Sequence, residues 1–352
     1  MDTLLYVFIH VLMLGSLIMV PRISGNDVEF GINVPPKAKS EPESRAIRKQ
    51  FYAINCGLGG MIMGLQVVFG NNVNLFMVLL FGSLVLYTMV YLRSHRQVKA
   101  LKAEKGWVAT KKSMVIDTTF RKRRLTVSPV WYLGYVAIIL VTAATALYHF
   151  DSLPDMVNVQ ANSTGGQATL MPKGRAMMYM VGLQVFMMAL LTGVQLMIRK
   201  AKQNLNPNQV EASIQANVSF RYVLSIILYF LGIGVGITLY MSLLMTIGLM
   251  EDAGLVTAVI LLLTFIPALV LIGASLKYGQ DGSRLLDAES EDLVRDEDNL
   301  WKWGMFYVNA NDPAIFVGKR VGVGWTLNFA RWQSWAMLAG LVIFIIVMLV
   351  FV

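Results

Sequence analysis

The chain predicts an all-α polytopic membrane protein of about eight transmembrane helices, N-out/C-out, with a small β-like cytoplasmic module before the last helix. Three observations carry this reading. Hydrophobic residues make up 56 % of the chain and charged residues only 14 %, against about a quarter charged in soluble domains. Eight stretches approach the roughly 20 apolar residues that cross a hydrocarbon core about 30 Å thick: Leu4–Val20, Phe51–Gly70, Asn74–Leu92, Val130–Phe150, Met177–Ile198, Tyr222–Met250, Leu255–Lys277 and Ser334–Val352. Lys and Arg concentrate in alternate loops, as expected when positive charge is retained on the cytoplasmic side.

The net charge of +9 resides in one loop. Between Arg93 and Pro129 stand eleven Lys/Arg against Glu104 and Asp117. With that loop inside, alternation makes 21–50, 199–221 and 277–333 cytoplasmic and places 151–176 outside. Of the 30 Lys and Arg, only Lys173 and Arg175 then lie outside. The basic loop needs no nucleic acid to explain it, because topology already requires the charge; anionic lipid headgroups are its nearer partner.

The first span is the shortest, about 17 apolar residues before Pro21, and the absence of a basic n-region argues against a cleaved signal. After it, Asn26–Val34 is polar and broken by Pro35-Pro36. Ser40 is placed to cap an interfacial helix that carries Glu41 and Glu43 first and Arg45, Arg48 and Lys49 later, the order that complements a helix dipole. In the second span Gly60 and Gly64 have the spacing that lets helices approach closely. Gly232, Gly234 and Gly236 repeat the device in the sixth, and Pro267 predicts a kink in the seventh by freeing the Leu263 carbonyl.

No Asp, Glu, Lys or Arg falls well inside a span; only His10, Asn55, Gln66, Gln184 and Gln195 are polar there. His10 reads as a neutral, hydrogen-bonded helix contact. Proton-driven pumps place ionisable groups at such depths, so this class is disfavoured. Cys56 is the single cysteine, which excludes an intrachain disulfide and CxxC chemistry.

The chain divides as 1–92 (spans one to three with loop 21–50), 93–129 (basic loop), 130–198 (spans four and five with loop 151–176), 199–277 (loop and spans six and seven), 278–333 (acidic linker and aromatic module) and 334–352 (span eight). Two loops have more pattern than a connector needs. In the outside loop Val157–Gln160 reads as a short strand and Asn162–Gly166 as turn formers. In the inside one, an acidic run from Asp287 to Asp298 precedes a segment, Trp301–Phe329, that reads as three short strands with turns at Asn309–Pro313 and Val321–Gly324. Five of the seven tryptophans lie from Trp301 to Trp335, fitting an interfacial belt. A piece this small cannot stand alone in water. The candidates for binding a ligand or partner are Asp155, Gln160, Asn162, Gly165 and Lys173 outside, and Asn309, Asn311, Asp312, Lys319, Arg320, Trp325 and Asn328 inside. No nucleophile–base pair, metal-ligand cluster or phosphate-cradling loop is present, so the expectation is a non-enzyme without metal or cofactor.

Three segments together resemble known families. Leu153-Pro154-Asp155, Asn162, Gly165 and Pro172-Lys173 are similar to a small bacterial membrane domain of unknown function also found in Sdp-type immunity proteins. Trp301–Phe329 resembles a second uncharacterised domain with a WK-x-G-x-x-Y-x-N-x-x-DP opening and a KR-x-G-x-GWT-x-N close. Phe30-Gly31-Ile32-Asn33-Val34-Pro35 looks like the FGV-x-x-P start of the same proteins. The first domain typically carries a histidine, then an aromatic residue and Asn, where this chain has Gln160-Ala161-Asn162; a site built on that histidine does not carry over. The resemblance implies a multi-pass protein of the bacterial plasma membrane. In the immunity relatives it implies protection against a membrane-active peptide and signalling to a soluble repressor. The expected function is therefore immunity or signalling, with an extracellular peptide and a cytoplasmic regulator as partners; a permease or transporter subunit is the alternative.

Overall fold

A computed structural model describes residues 2–25, 27–107, 117–159, 170–206, 208–286 and 297–351. Among these, seven helices are long and apolar enough to cross a membrane, the pattern of a multi-pass membrane protein, and an eighth apolar helix follows. The helices are α1 (Asp2–Ile23), α2 (Pro42–Phe69), α3 (Val73–Lys105), α4 (Leu133–Tyr148), α5 (Lys173–Lys200), α6 (Val210–Thr246), α7 (Ala253–Tyr278) and α8 (Trp332–Phe351). Chain contacts divide the protein into two units, one of 1–117, 201–217 and 275–331, the other of 118–200, 218–274 and 332–352.

In the first unit α1, α2 and α3 form an up-down-up bundle. Tyr6 stacks on Phe76 at 4.3 Å, and Gly59 lets Leu14 and the Tyr87 hydroxyl reach the α2 backbone. Among the described residues the expected close approach at Gly60 and Gly64 does not occur: both face open space, and Gly59 is the glycine that packs. The GxxxG spacing says that a small-residue face exists, not which neighbour covers it. α1 continues through Pro21 rather than ending before it. Ser40 does not cap α2; it ends a 3-10 turn over Pro36–Ser40, and α2 starts at Pro42, where a missing N–H costs nothing. His10 is buried with both ring nitrogens lacking a protein partner, set edge-on to Phe76, so the expected hydrogen bond is not made.

α3 is the long element. Its 33 residues span about 50 Å, well beyond a hydrocarbon core of about 30 Å. Asn72 caps its start through Leu75 N at 3.0 Å, and Gly106, at φ 64°, closes its end. The surplus length carries the basic residues from Arg93 to Lys105 as regular helix.

Among the described residues, four antiparallel hairpins decorate the helices. β1 (Val28–Glu29) pairs with β2 (Ile32–Asn33), and β3 (Met156–Asn158) with β4 (Leu170–Pro172). β5 (Trp301–Lys302) pairs with β6 (Phe306–Tyr307), and β7 (Phe316–Gly318) with β8 (Trp325–Leu327). The aromatic segment thus has four strands in two hairpins, joined by a parallel bridge from Tyr307 to Asn328, where three strands were expected. Trp303-Gly304 supplies the additional turn. In the first unit, β1–β2 and the module of β5–β8 close around Phe30, Ile32, Val34, Phe51 and Tyr91.

The second unit holds α4, α5, most of α6 and α7, α8 and the β3–β4 hairpin. Val157 and Met171 from the hairpin join Ala146, Met177, Met180 and Leu243 in one apolar cluster. The three α6 glycines each admit a neighbour: Gly232 the Tyr135 ring, Gly236 the end of Met188. A Cβ at Gly234 would stand 3.1 Å from the Leu263 carbonyl, the acceptor that Pro267 leaves without an amide donor. α7 runs unbroken through Pro267, and the freed carbonyl lies against the α6 backbone.

Candidate functional site

In the first unit two turns meet over α3 in a polar junction. Phe30-Gly31 is the two-residue turn of the β1–β2 hairpin, with φ 44° and 78°. Such turns favour Asn-Gly, because both residues need positive φ. Trp303-Gly304, at φ 54° and 72°, heads the β5–β6 turn. Each turn therefore places an aromatic residue in left-handed backbone, at a cost of about 1–2 kcal/mol. Phe30 offsets this by burial: its ring lies 5.0 Å from Phe51 and 6.2 Å from Tyr91.

The two turns are held by one hydroxyl. Tyr91 Oη donates to the Phe30 carbonyl at 3.1 Å and reaches the Trp303 carbonyl at 3.3 Å. His95 Nδ1, one turn further along α3, lies 2.8 Å from the same Phe30 oxygen. The neighbouring Asp298 closes the other side. Its carboxylate accepts from Asn33 N at 3.0 Å, Arg320 Nη1 at 2.6 Å and Lys102 Nζ at 2.7 Å. Arg320 also donates to the Gly31 carbonyl at 3.1 Å and lies over the Trp301 ring at 5.3 Å. Burial pulls the Arg320 guanidinium below its ordinary value, and Asp298 opposes the shift. Tyr91, His95 and Lys102 share one face of α3 at i, i+4 and i+11, so a single helical stripe anchors the entire junction.

A second buried charge group lies on the α2 side. Glu29, 1 % exposed, pairs with Arg48 at 3.1 Å. Burial raises the Glu29 carboxyl against the pull of Lys39 and Arg48. Lys39 donates to the Gly25 carbonyl at 2.6 Å; burial lowers its ammonium to about 8 against the nearby Glu29.

Within the module, the sequence candidates come together around Asn328, which is fully buried. Its amide donates to the carbonyls of Asn309, Asp312 and Ala314 at 2.8, 3.2 and 3.1 Å. Its oxygen accepts from Asn309 N and Ala330 N. Asp312 accepts from Ala314 N at 2.9 Å, Tyr307 Oη at 3.0 Å and Lys202 Nζ at 2.6 Å. Burial pushes the Asp312 carboxyl up, but Lys202 and these donors outweigh it and the net shift is downward. Asn311 is exposed and closes a turn through Asn309 Oδ1. Lys319 is exposed, and Trp325 is buried on β8. Asn309, Asn311, Asp312 and Asn328 thus tie the module's own turns, Trp325 is buried, the Lys319 side chain is exposed, and Arg320 is the candidate that reaches the junction with α3.

Of the candidates in loop 151–176, Asp155 and Lys173 are described, and both belong to the second unit. Lys173 stands 3.7 Å from the exposed carboxylate of Asp155 and donates to the Leu153 carbonyl at 3.2 Å, beside the Phe150 ring. Gln160, Asn162 and Gly165 lie outside the described residues, as do most of the acidic run and the centre of the basic loop. Among the described residues, no three of His, Cys, Asp and Glu gather as a metal-binding group.

Sequence reasoning missed Tyr91, His95, Lys102 and Asp298 as a site, and also Arg221. The last is fully buried on α6, donating to the Ile198 carbonyl at 2.7 Å and lying over Phe120, though the sequence assigned it to a loop.

A family profile described as a family of unknown function (DUF5808) matches residues 310–335. That stretch contains Asp312, Arg320, Trp325 and Asn328. No curated protein and no solved structure matches the chain.

Proposed function

We propose that this chain is a non-enzymatic signalling or immunity protein of the bacterial plasma membrane, N-out/C-out. In this reading a small outside cap around β3–β4 meets an extracellular peptide or envelope component, and the inside module presents a surface to a soluble regulator. The observation that carries it is the junction on α3. Tyr91 and His95 bind the Phe30 carbonyl of the β1–β2 turn, Tyr91 also reaches the Trp303 carbonyl of the module, and Lys102 pairs with Asp298 just before it, so rotation or sliding of α3 displaces both turns together. An enzyme needs a substrate cleft lined by reactive groups, whereas here the polar groups are occupied in joining helix to module.

The test is a deletion strain challenged with a panel of membrane-active peptides and complemented with wild type or with Tyr91→Phe/His95→Gln. Protection restored by wild type and lost in the expressed, folded variant supports the reading. Unchanged sensitivity in the deletion strain, with no regulator recovered by pull-down, counts against it.

A permease subunit is the second reading, favoured by the Gly234–Leu263 approach beside Pro267. It requires solute flux by the purified protein in liposomes; flat traces across broad substrate sets remove it.

A further inference from the structure

A groove of about 340 Å³ runs along α3 where its apolar run ends, lined by Met89, Leu92, Arg93, Arg96 and Gln97. These positions fall at i, i+3, i+4, i+7 and i+8, one face of the helix. By helical periodicity it is the face opposite Tyr91 and His95. From Val73 to Leu92 the helix carries no charge, and those residues rise about 30 Å, the thickness of a hydrocarbon core. Arg93 is therefore the first charged group to leave the lipid.

The cations of α3 separate into two kinds. Lys102 is neutralised by Asp298, and Lys105 by Glu41 and Glu43, at 2.7–3.3 Å. Arg93 and Arg96 are exposed, and among the described residues neither pairs with a carboxylate. Two guanidinium forks at headgroup depth, above an apolar floor of Met89 and Leu92, match a phosphate with acyl chains attached.

We propose that this groove binds the phosphate of an anionic phospholipid, with Arg93 and Arg96 holding the headgroup and Met89 and Leu92 the first acyl carbons. The site deepens the lipid partnership expected of the basic loop. It requires only that α3 crosses a bilayer, so its failure leaves the signalling reading standing, and the converse also holds.

The test is native mass spectrometry of the full-length protein in detergent, titrated with phosphatidylglycerol or phosphatidylcholine. Wild type should retain phosphatidylglycerol preferentially. Arg93→Gln/Arg96→Gln should weaken that retention about thirtyfold, two surface charges at roughly tenfold or less each. Lys99→Gln, on the same helix but outside the groove, should leave it within about twofold. Equal thermal unfolding of all three proteins shows that folding is not the cause. Retention unchanged in the double variant overturns the proposal. Displacement by inorganic phosphate or glycerol phosphate at the concentrations at which the lipid binds assigns the site to free phosphate and equally overturns it.

Discussion

Gly31 and Gly304 pack backbone against backbone: a Cβ on Gly31 would fall 2.6 Å from the Gly304 Cα, and one on Gly304 would fall 2.7 Å from the Gly31 Cα. Only glycine allows this approach, and both residues also need positive φ. Two turns more than 270 residues apart are thereby brought under one tyrosine hydroxyl.

Gly304→Ala should therefore destabilise the protein by about 2–4 kcal/mol, combining left-handed strain with overpacking. Gly322→Ala is the control, since its φ is +79° but nothing lies within 4 Å; it should cost only the strain, about 1–2 kcal/mol. Thermal unfolding in detergent, compared between the two, checks the difference.

Asn328→Leu keeps the branched shape but removes the donor to the Asn309 and Ala314 carbonyls and the acceptor of two amides, while Arg331 Nε still donates to the Asp312 carbonyl. The loss should reach about 3 kcal/mol or more, since unmet buried groups carry a full desolvation penalty. Limited proteolysis should then cut within 301–331 at protease concentrations that leave wild type intact.

Asp312 gives a pH signature. Its folded carboxyl lies below its ordinary value because Lys202, Ala314 N and Tyr307 outweigh burial. The unfolded chain therefore takes up the proton first as pH falls. The stabilisation is complete at neutral pH, declines below about pH 4 and disappears once the folded carboxyl also protonates. Asp312→Asn should lower stability at pH 7 and flatten the acid limb of unfolding midpoint against pH.

Lys39, lowered to about 8 by burial, should acylate in competitive labelling with a midpoint near that pH. Mass spectrometry of the labelled peptide reads the midpoint. A midpoint in the ordinary lysine range near 10.4 would mean that the Gly25–Lys39 contact opens in solution.

Orientation is open to a direct measurement. In a Cys56→Ser background, Ser163→Cys should react with an impermeant thiol reagent in intact cells and Ser290→Cys only after lysis. The reverse pattern inverts the proposed sidedness.

The helices were legible because lipid imposes a local rule: about 20 apolar residues in sequence are enough to mark each one. Within the module, Asn309 and Asp312 were legible as turn formers, and the structure uses them so, whereas Asn328, a binding candidate in the sequence, is the buried amide that ties those turns. Periodicity could not identify what a face meets. Gly60 and Gly64 have the packing spacing yet face outward, while Gly59 makes the contact. Arg221 read as a loop residue because a lone charge beside an apolar run resembles a boundary. The α3 junction was illegible for a different reason. Phe30-Gly31 is an unusual pair for a tight hairpin, and its partners Trp303 and Asp298 are too distant in sequence for any local pattern to join them.

The bond between Asn33 and Asp298 spans 265 residues of chain. At about 5–20 residues per second, synthesis separates the two by about 13–50 s. Through that interval the first hairpin can rest on Phe51 and Tyr91 while its other side has no mate, and four more helices, α4 to α7, must be made before the mate emerges. Nascent chains interrupted anywhere before Asp298 would carry an uncovered apolar hairpin beside the bilayer, a ready mark for quality-control proteases.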